Sequence, residues 1–556
     1  MPKSDSLRIL PLGGLGQIGG NMMILETQSD LIVVDCGILF PRSDELGVNA
    51  VLPNVDYLVR HQDRLRGYVL THAHEDHVGA LPHIFSEAPA PVYGSKFSIA
   101  LLRMKLGEYP DVEMDMRVVD DGERLEFGDF SIEAIPITHS IVGAFLLAIE
   151  TPIGRVVHTG DFRLDREPID GRQTDERAIR NLGEQGVVLL LSDSTNSKRS
   201  GWTQSENEIR ESLTEHIGTT RHRVAVTTFS SNLHRIQSVI DASERAGRTV
   251  IPVGRGMIQM VQLGVENGFL KVPRGTLADV SNFDSLTRNQ VTLLISGSQG
   301  EARGSFARIA EASHRLVQLD AGDTVIVSAR RIPGNEARIN RAINNLYRQG
   351  VEVIDDRVAL VHTSGHAYQE EQRAMLSWLK PEFFVPVHGE YQHLVHHART
   401  AEDCGVAAEK VFIIEDGEPL DFRNGPEGVR ARRGTAVDVT PVYVSGSTIG
   451  AVDEVVLRDR QILADQGIVF CVVVLDDNDR IQTGPDIGTR GVFHVDAHPD
   501  VIEDAIWEVR SAIDTVRDQP EDLEAWSGVV RQALKRYFRR EHDVRPLLVP
   551  MVLRAD

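Results

Sequence analysis

Three imidazoles and the Asp76 carboxylate crowd into one heptapeptide, Thr71-His72-Ala73-His74-Glu75-Asp76-His77, directly after the apolar run Tyr68-Val69-Leu70. Such a cluster makes poor core packing, and burying it is costly unless a cation holds the side chains together. In an extended turn the His-x-His alternation puts His72 and His74 on one side. Asp76 and His77 come off the next turn and can face a second ion. The spacing predicts two metals rather than one, as in hydrolases that activate water between paired ions. A solvated histidine-rich loop is the bland alternative, and it gives no reason for more ligands of the same kind to recur downstream.

They do recur, each just past a strand-like run. His139 follows Phe130 to Ile137, Asp161 follows Arg155 to His158 in Thr159-Gly160-Asp161-Phe162, and Asp193 follows Val187 to Leu191 in Ser192-Asp193-Ser194-Thr195-Asn196. His366 closes His362-Thr363-Ser364-Gly365-His366 after Val358 to Val361, and His388 ends the run Phe383 to Val387. Strand ends often carry Asp or His as caps, so each alone is a modest signal; together with the first motif they form a constellation. An Asp after a Gly at the end of a buried strand suits a carboxylate that bridges two cations. His393, His396 and His397 lie along the helix after His388 and read as surface or packing residues.

The elements that must position these residues change rhythm along the chain. Near the start, Gly14-Leu15-Gly16-Gln17-Ile18-Gly19 matches a dinucleotide-binding pattern, with Asp35 at about the expected distance. That pattern needs a helix to offer its N-terminus to a pyrophosphate. Asn21 to Glu26 instead reads as a strand, so the glycines are expected to turn between strands, and Asp35-Cys36-Gly37 ends a strand that could lie under the metal site. Strands are then expected at Pro91 to Tyr93 and Ala144 to Ile149, and helices at Val78 to Phe85 and Phe97 to Leu106. From Ser205, helices near 205–217, 232–246, 256–268, 303–313 and 335–349 alternate with strands at Val224 to Val226, Thr249 to Ile251, Val291 to Ile295, Thr324 to Val327 and Val351 to Ile354. This is the βαβ rhythm of a parallel sheet in a self-contained insertion. Its strand-end loops, Ser230-Ser231-Asn232, Gly254-Arg255-Gly256, Ser296 to Gly300 and Arg330 to Asn335, suit an anionic phosphate, although ordinary loop chemistry also favours these residue types. Gly425 to Gly434 reads as a charged loop and Ser445-Gly446-Ser447 as a turn or linker. Beyond 467, two strands, two helices near 501–517 and 522–540, and a last strand at Pro546 to Val552 suggest a small α/β domain without a ligand constellation.

At 556 residues the chain has room for about three or four domains. Hydrophobic residues at 41% and charged residues at 25% are those of a soluble globular protein. No apolar run approaches the roughly 18 residues of a membrane helix, and the first residues lack a secretory h-region. No membrane partner is therefore expected. Three scattered cysteines, Cys36, Cys404 and Cys471, imply no disulfide framework and fit a reducing cytoplasm. A net charge of −22 argues against a general nucleic-acid coat, but leaves room for a local basic channel or for divalent ions that attract phosphate.

The His72 motif, His139, Asp161, Asp193, His366 and His388, in this order, resemble the metallo-β-lactamase superfamily with a β-CASP insertion, a family that cleaves nucleic acids. Within it the closest likeness is to the ribonuclease J family. It is carried by Gly13 to Gly19, Leu191 to Asn196, Ser296 to Glu301, His362 to His366 and Pro386-Val387-His388-Gly389-Glu390-Tyr391. The resemblance covers nearly the whole chain and is weakest after about residue 465. It implies an α/β architecture: a metallo-β-lactamase αββα sandwich in two parts, 1–204 and 355–445, an inserted β-CASP parallel α/β domain at 205–354, a linker at 446–466 and a small C-terminal α/β domain at 467–556. It implies one metal held by His72, His74 and His139, a second held by Asp76, His77 and His388, and Asp161 bridging them, the ions being Zn2+ or Mn2+. Asp193 and His366 match residues that face the reacting phosphate. Ser230, Ser231 and Asn232, and the loop His362, Thr363, Ser364, Gly365 and His366, match positions that hold the RNA backbone and a 5′-monophosphate. The family degrades single-stranded RNA from 5′ to 3′, preferring 5′-monophosphate ends, and also cuts internally. It works in rRNA processing and mRNA decay, often as a homodimer or tetramer, within RNA-decay assemblies in the cytoplasm. Some members carry a structural calcium near the segment matching Gly47-Val48-Asn49, but Gly450-Ala451-Val452 offers no partner acid here.

The chemistry expected of such a site is phosphodiester hydrolysis, in which a pair of divalent ions acidifies a water and neutralises phosphate oxygens. Asp76 would orient the water. His366, hydrogen-bonded through Asp193, would steady the phosphate or protonate the 3′-oxygen. Three rivals stand beside this reading. A thioester or lactone hydrolase on the same fold would need neither the insertion nor its phosphate-like loops. A β-CASP nuclease acting on DNA is separated by assay on paired RNA and DNA substrates. A catalytically inactive scaffold subunit would be expected to lack ligands, and all seven are present.

Overall fold

The computed structural model describes residues 5–555 other than 302, 332, 333, 447, 495–497 and 517–519. Ile332, Pro333 and Ser447, named above in loops, therefore lie outside the described residues. The described chain divides into two units: residues 1–40 with 51–442, and residues 41–50 with 443–556.

In the first unit two sheets face each other. The first runs in the order Gly428–Arg433, Leu420–Gly425, Ser6–Gly13, Met22–Glu26, Leu31–Val34, Leu65–Val69, Val92–Gly94 and Met116–Val118; the second runs Phe383–Val387, Leu189–Asp193, Gly154–His158, Phe145–Thr151, Phe130–Pro136 and Arg124–Phe127. Their shared core includes Ile9, Leu25 and Val34 from the first sheet, and Ile132, Leu147, Leu191 and Val385 from the second. The outer face of the second sheet, with Ile135, Leu146 and Leu190, is covered by Ile179 and Leu182 of helix Glu176–Gln185 and by Met375 and Leu379 of helix Gln369–Leu379. Fully apolar runs such as Leu31–Val34 become strands buried on both faces, as a covered sheet requires.

The residues between these halves form a five-stranded, wholly parallel sheet in the order Thr249–Val253, Val291–Ile295, Val224–Thr227, Thr324–Val327 and Glu352–Ile354. Helices Glu206–Thr219, Leu233–Arg245 and Arg255–Glu266 pack on one face; Ser305–Ala310 and Glu336–Arg348 pack on the other. The second unit holds a three-stranded sheet in which Ile468–Leu475 lies between Ile481–Arg490 and Leu547–Arg554, with helices Pro499–Asp514 and Leu523–His542 over one face. The architecture is thus α/β throughout, as expected. No helix among the described residues is long and apolar enough to cross a membrane.

Four local expectations change. The helix expected over Val78 to Phe85 is two single turns, Glu75–Val78 and Leu81–Ile84, interrupted at Gly79-Ala80. The helix expected near 303–313 covers only Ser305–Ala310. Gly425 to Gly434 is not a loop: Gly428–Arg433 pairs with Leu420–Gly425 as a hairpin, burying nothing large because it is the sheet edge. Much of 446–466, expected as a linker, is the helix Glu454–Gln466, whose N-terminus is capped by the Asp453 side chain accepting from Val456 N–H. The glycine-rich segment behaves as expected: Gly14, Gly16, Gly19 and Gly20 all take positive φ, and a strand rather than a helix follows.

Candidate metal centre

Strand direction assembles the site. Leu31–Val34 and Leu65–Val69 run parallel in the first sheet, and Gly154–His158, Leu189–Asp193 and Phe383–Val387 run parallel in the second. Asp35, His72, Asp161, Asp193 and His388 therefore leave their strands at the C-terminal ends, where ligands of parallel sheets gather. The turn carrying Asp76 and His77 lies so close to Gly37 that a Cβ there would sit 1.7 Å from the Asp76 carbonyl oxygen; only glycine allows the approach.

Asp161 is the hub. It is 2% exposed, and its Oδ2 lies 3.3 Å from His77 Nε2, 3.4 Å from His388 Nε2, 3.6 Å from His72 Nε2, 3.7 Å from His139 Nε2 and 3.8 Å from His366 Nδ1. The donors form three overlapping sets, each with its ligand atoms within 4.8 Å of one another: His72, His74, His139 and Asp161; Asp76, His77, Asp161 and His388; and Asp161, Asp193, His366 and His388. In the first set His74 Nδ1 is 3.0 Å from His72 Nε2 and 3.1 Å from His139 Nε2. Nitrogens at the corners of a zinc tetrahedron stand about 3.3 Å apart, so this spacing is that of a filled coordination sphere. In the second, Asp76 Oδ2 is 3.8 Å from both His77 Nε2 and His388 Nε2.

Partners behind the ligands fix which nitrogen faces inward. His77 Nδ1 donates to Asp35 Oδ2 at 2.7 Å, and Asp35 also takes the Thr71 N–H and hydroxyl, each at 2.7 Å. Having spent its proton on Asp35, the Thr71 oxygen accepts from His72 Nδ1 at 3.1 Å. His139 Nδ1 donates to the Gly365 carbonyl at 2.7 Å, and His388 Nδ1 donates to Asn21 Oδ1 at 2.9 Å. Each of these four rings therefore turns its Nε2 toward Asp161, where a bound ion would take the place of any proton. Converging lone pairs repel unless a cation takes them, and outer partners of this kind are what orient metal-bound imidazoles. The donor set thus fits two divalent ions with His and carboxylate ligands, a mixture that accepts zinc or manganese.

Electrostatics agree. Burial holds His72 and His139 well below the ordinary imidazole range and His74 at about 4, so these rings are neutral at pH 7 and could offer lone pairs to an ion. Burial would also lower His77, but Asp161, Asp35 and Asp76 outweigh it and hold the ring well above its usual value. Burial would raise Asp161, yet the imidazoles of His388, His77 and His366 keep it ionised far below the usual carboxylate range. The buried carboxylates call for positive charge, which either a proton or a metal ion can supply.

Asp193 and His366 stand beside this cluster. His366 Nδ1 donates to Asp193 Oδ2 at 2.9 Å, and Asp193 Oδ1 accepts the Thr195 N–H at 2.9 Å. Burial lowers His366, but Asp193 and Asp161 more than reverse it, to about 9.

The expected substrate residues are placed less uniformly. Ser230, Ser231 and Asn232 follow the C-terminal end of Val224–Thr227, and Asn232 Oδ1 is committed to capping the next helix through the Arg235 N–H at 3.0 Å. In the loop 362–366, Thr363 donates to Gln204 O and Ser364 Oγ accepts from Asn196 Nδ2, so these hydroxyls hold the loop itself. His362 is pushed down to about 3, chiefly by burial and then by the Arg235 charge. Among His393, His396 and His397, the last is buried against Phe384 with its Nδ1 3.0 Å from Ser194 Oγ, a packing role. Sequence reasoning missed the orienting roles of Asn21 and Gly365 and the part of Asn196; their signal was only their place inside the motifs.

Family models match the chain in four stretches: "Metallo-beta-lactamase superfamily" over residues 15–219, "Ribonuclease J, beta-CASP domain" over 221–346, "Zn-dependent metallo-hydrolase RNA specificity domain" over 350–413 and "Ribonuclease J C-terminal domain" over 455–555. The chain is 37% identical over 557 residues to Ribonuclease J 1 of Streptococcus pyogenes, covering 100% of this chain and 99% of that one. It is 35% identical over 567 residues to Ribonuclease J of Thermus thermophilus, covering 99% and 95%, and 37% identical over 475 residues to Ribonuclease J of Helicobacter pylori, covering 85% and 68%. Among solved structures, a protein of unknown function from Enterococcus faecalis superposes with a TM-score of 0.54 at 15% identity, over 75% of this chain and 100% of that one, a likeness of fold alone. With full-length identity at this level and the family's models covering the β-CASP and C-terminal stretches, the chain belongs to the ribonuclease J family.

Proposed function

We propose that this chain is a metal-dependent ribonuclease that hydrolyses RNA phosphodiesters, acting from the 5′ end with preference for a 5′-monophosphate and cutting internally as well. The observation that carries the reading is the single Asp161 oxygen within 3.8 Å of five imidazole nitrogens, with two complete donor sets around it. His72, His74 and His139 would hold one ion, Asp76, His77 and His388 the other, and Asp161 would contribute to both. When bound, such ions supply Lewis acidity: they lower the pKa of a water and neutralise phosphate oxygens.

The chain's own residues do the rest. Asp76, the more open of the two carboxylates, orients the attacking water toward phosphorus. His366, kept protonated against Asp193, passes a proton to the departing 3′-oxygen as the P–O3′ bond breaks. The products are a 3′-hydroxyl and a new 5′-phosphate, so each cut leaves the end that the next cut prefers. Ser230, Ser231 and Asn232 and the loop from His362 to His366 hold the backbone and terminal phosphate. We divide the labour as sequence suggests: 1–204 and 355–445 carry the chemistry, 205–354 covers the RNA, and the part beyond 446 serves assembly of a dimer or tetramer and contact with other RNA-decay proteins in the cytoplasm.

The test is hydrolysis of matched 5′-monophosphorylated RNA and DNA oligonucleotides with added manganese or zinc. RNA should be shortened to nucleotides bearing 5′-phosphates while DNA is spared; turnover of DNA alone would replace the reading with that of a deoxyribonuclease.

A further inference from the structure

Several arginines around the five-stranded sheet are matched by acids: Arg235 by Glu206, Arg223 by Asp320 and Asp323, and Arg331 by Asp355 at 2.9 Å. Arg330, beside Arg331, is not. It lies just beyond strand Thr324–Val327, is half-buried, and among the described residues has no carboxylate within ion-pair distance. Its Nη1 donates to Asn196 Oδ1 at 3.0 Å. Burial, and next the charge of Arg199, press on its guanidinium. Arg199 is also unmatched by an acid among the described residues; it donates to the Tyr368 hydroxyl at 3.0 Å and lies over that ring. Exposed Lys198, one residue before it, donates to Gln392 at 2.9 Å and meets no acid among the described residues. In a chain of net charge −22, a half-buried guanidinium without a carboxylate costs free energy that an incoming anion would recover.

The position says which anion. Asn196 Nδ2 donates to the His366 carbonyl at 3.0 Å and to Ser364 Oγ at 2.8 Å, so one asparagine joins Arg330 to the residue beside Asp161. Arg330 thus stands one hydrogen-bonded side chain away from the His366 backbone. We propose that Arg330, with Arg199 beside it, binds the backbone phosphate next to the scissile one; this deepens, and rests on, the ribonuclease reading above. Asn196 fixes one arm of the guanidinium, leaving the remaining N–H donors of its planar fork for two phosphate oxygens. A contact of this kind sets register and carries no base preference.

The test uses the full chain and a 5′-monophosphorylated oligoribonucleotide in which each linkage flanking the cut is replaced, one at a time, by a neutral methylphosphonate. Arg330→Gln should lower kcat/KM about 10- to 100-fold, mainly through KM, and Arg330→Lys should recover part of that. At one linkage the methylphosphonate should cost the unsubstituted protein a similar factor and cost Arg330→Gln nothing more. Losses that multiply at every linkage, an unchanged Arg330→Gln, or an Asn196→Ala variant that reproduces the whole loss with multiplying penalties would overturn the proposal. An unsubstituted protein that leaves the unmodified strand intact overturns the ribonuclease reading itself, so the two failures are told apart.

Discussion

At the scale of single residues, one buried oxygen does two jobs that no other side chain can share. Asp161 Oδ2 is equidistant, within half an ångström, from nitrogens of both donor sets. Asp161→Ala or His74→Ala should therefore abolish turnover by losing metal, with metal content per chain falling in elemental analysis. His366→Ala is the contrasting case. Its ring nitrogen bonds Asp193, and although it clusters with Asp161, Asp193 and His388, it is outside the two sets proposed to hold the ions; bound metal should stay while kcat falls by about two to four orders of magnitude. Full activity in that variant would remove His366 from the chemistry. These residues were legible in the sequence because each follows a strand-like apolar run and is of a type that such an end rarely needs. Asn21 was not legible: its partner His388 is 367 positions away, and no local pattern reports a hydrogen bond across that span.

At the scale of elements, the loop 361–366 is held by a buried cluster of charges. Glu206, at the start of helix Glu206–Thr219, pairs with Arg235 at 2.6 Å and lies 3.6 Å from Arg163, while Arg235 donates to Val361 O and Arg163 to Ser364 O. Burial opposes the Glu206 charge, but Arg235 and Arg163 overcome it and depress the carboxyl from 4.5 to about 2. A depressed carboxylate stabilises the fold above pH 4.5 and loses that contribution as pH falls toward 2. Urea unfolding at stepped pH should show stability declining through this window by on the order of 3 kcal/mol from this group. Glu206→Gln should flatten that decline and lower neutral-pH stability by about 3–5 kcal/mol, since it leaves the buried Arg235 guanidinium without its carboxylate, whereas Arg163 keeps Asp165 at 2.8 Å. In the same loop a Cβ on Gly365 would stand 2.4 Å from Ser140 Oγ and 2.8 Å from His139 Cε1. Gly365→Ala should weaken metal affinity about 10- to 100-fold by turning His139, measurable by chelator competition. Elements with one dominant period were readable in sequence. The edge strand Gly428–Arg433 was not, because its exposed arginines and flanking glycines look like a loop when nothing packs on one side.

At the scale of the whole molecule, a chain of charge −22 is asked to bind a polyanion, which only a local concentration of positive charge allows. Affinity for single-stranded RNA should fall steeply with salt, with a log–log slope of about −0.7 for each phosphate neutralised; a flat dependence would show that Arg330, Arg199 and Lys198 neutralise no phosphate. The α/β class and the alternation of the insertion could be read from βαβ rhythm alone, whereas the second unit, which also takes residues 41–50, could not, since that recruitment depends on contacts far apart in sequence. The account stands most directly on metal analysis joined to product mapping with 5′-monophosphate and 5′-triphosphate RNA. It predicts two divalent ions per chain, lost with Asp161→Ala, and stepwise release of 5′-phosphorylated nucleotides, faster from the monophosphate end. Every RNA left intact by the protein saturated with manganese or zinc would contradict it.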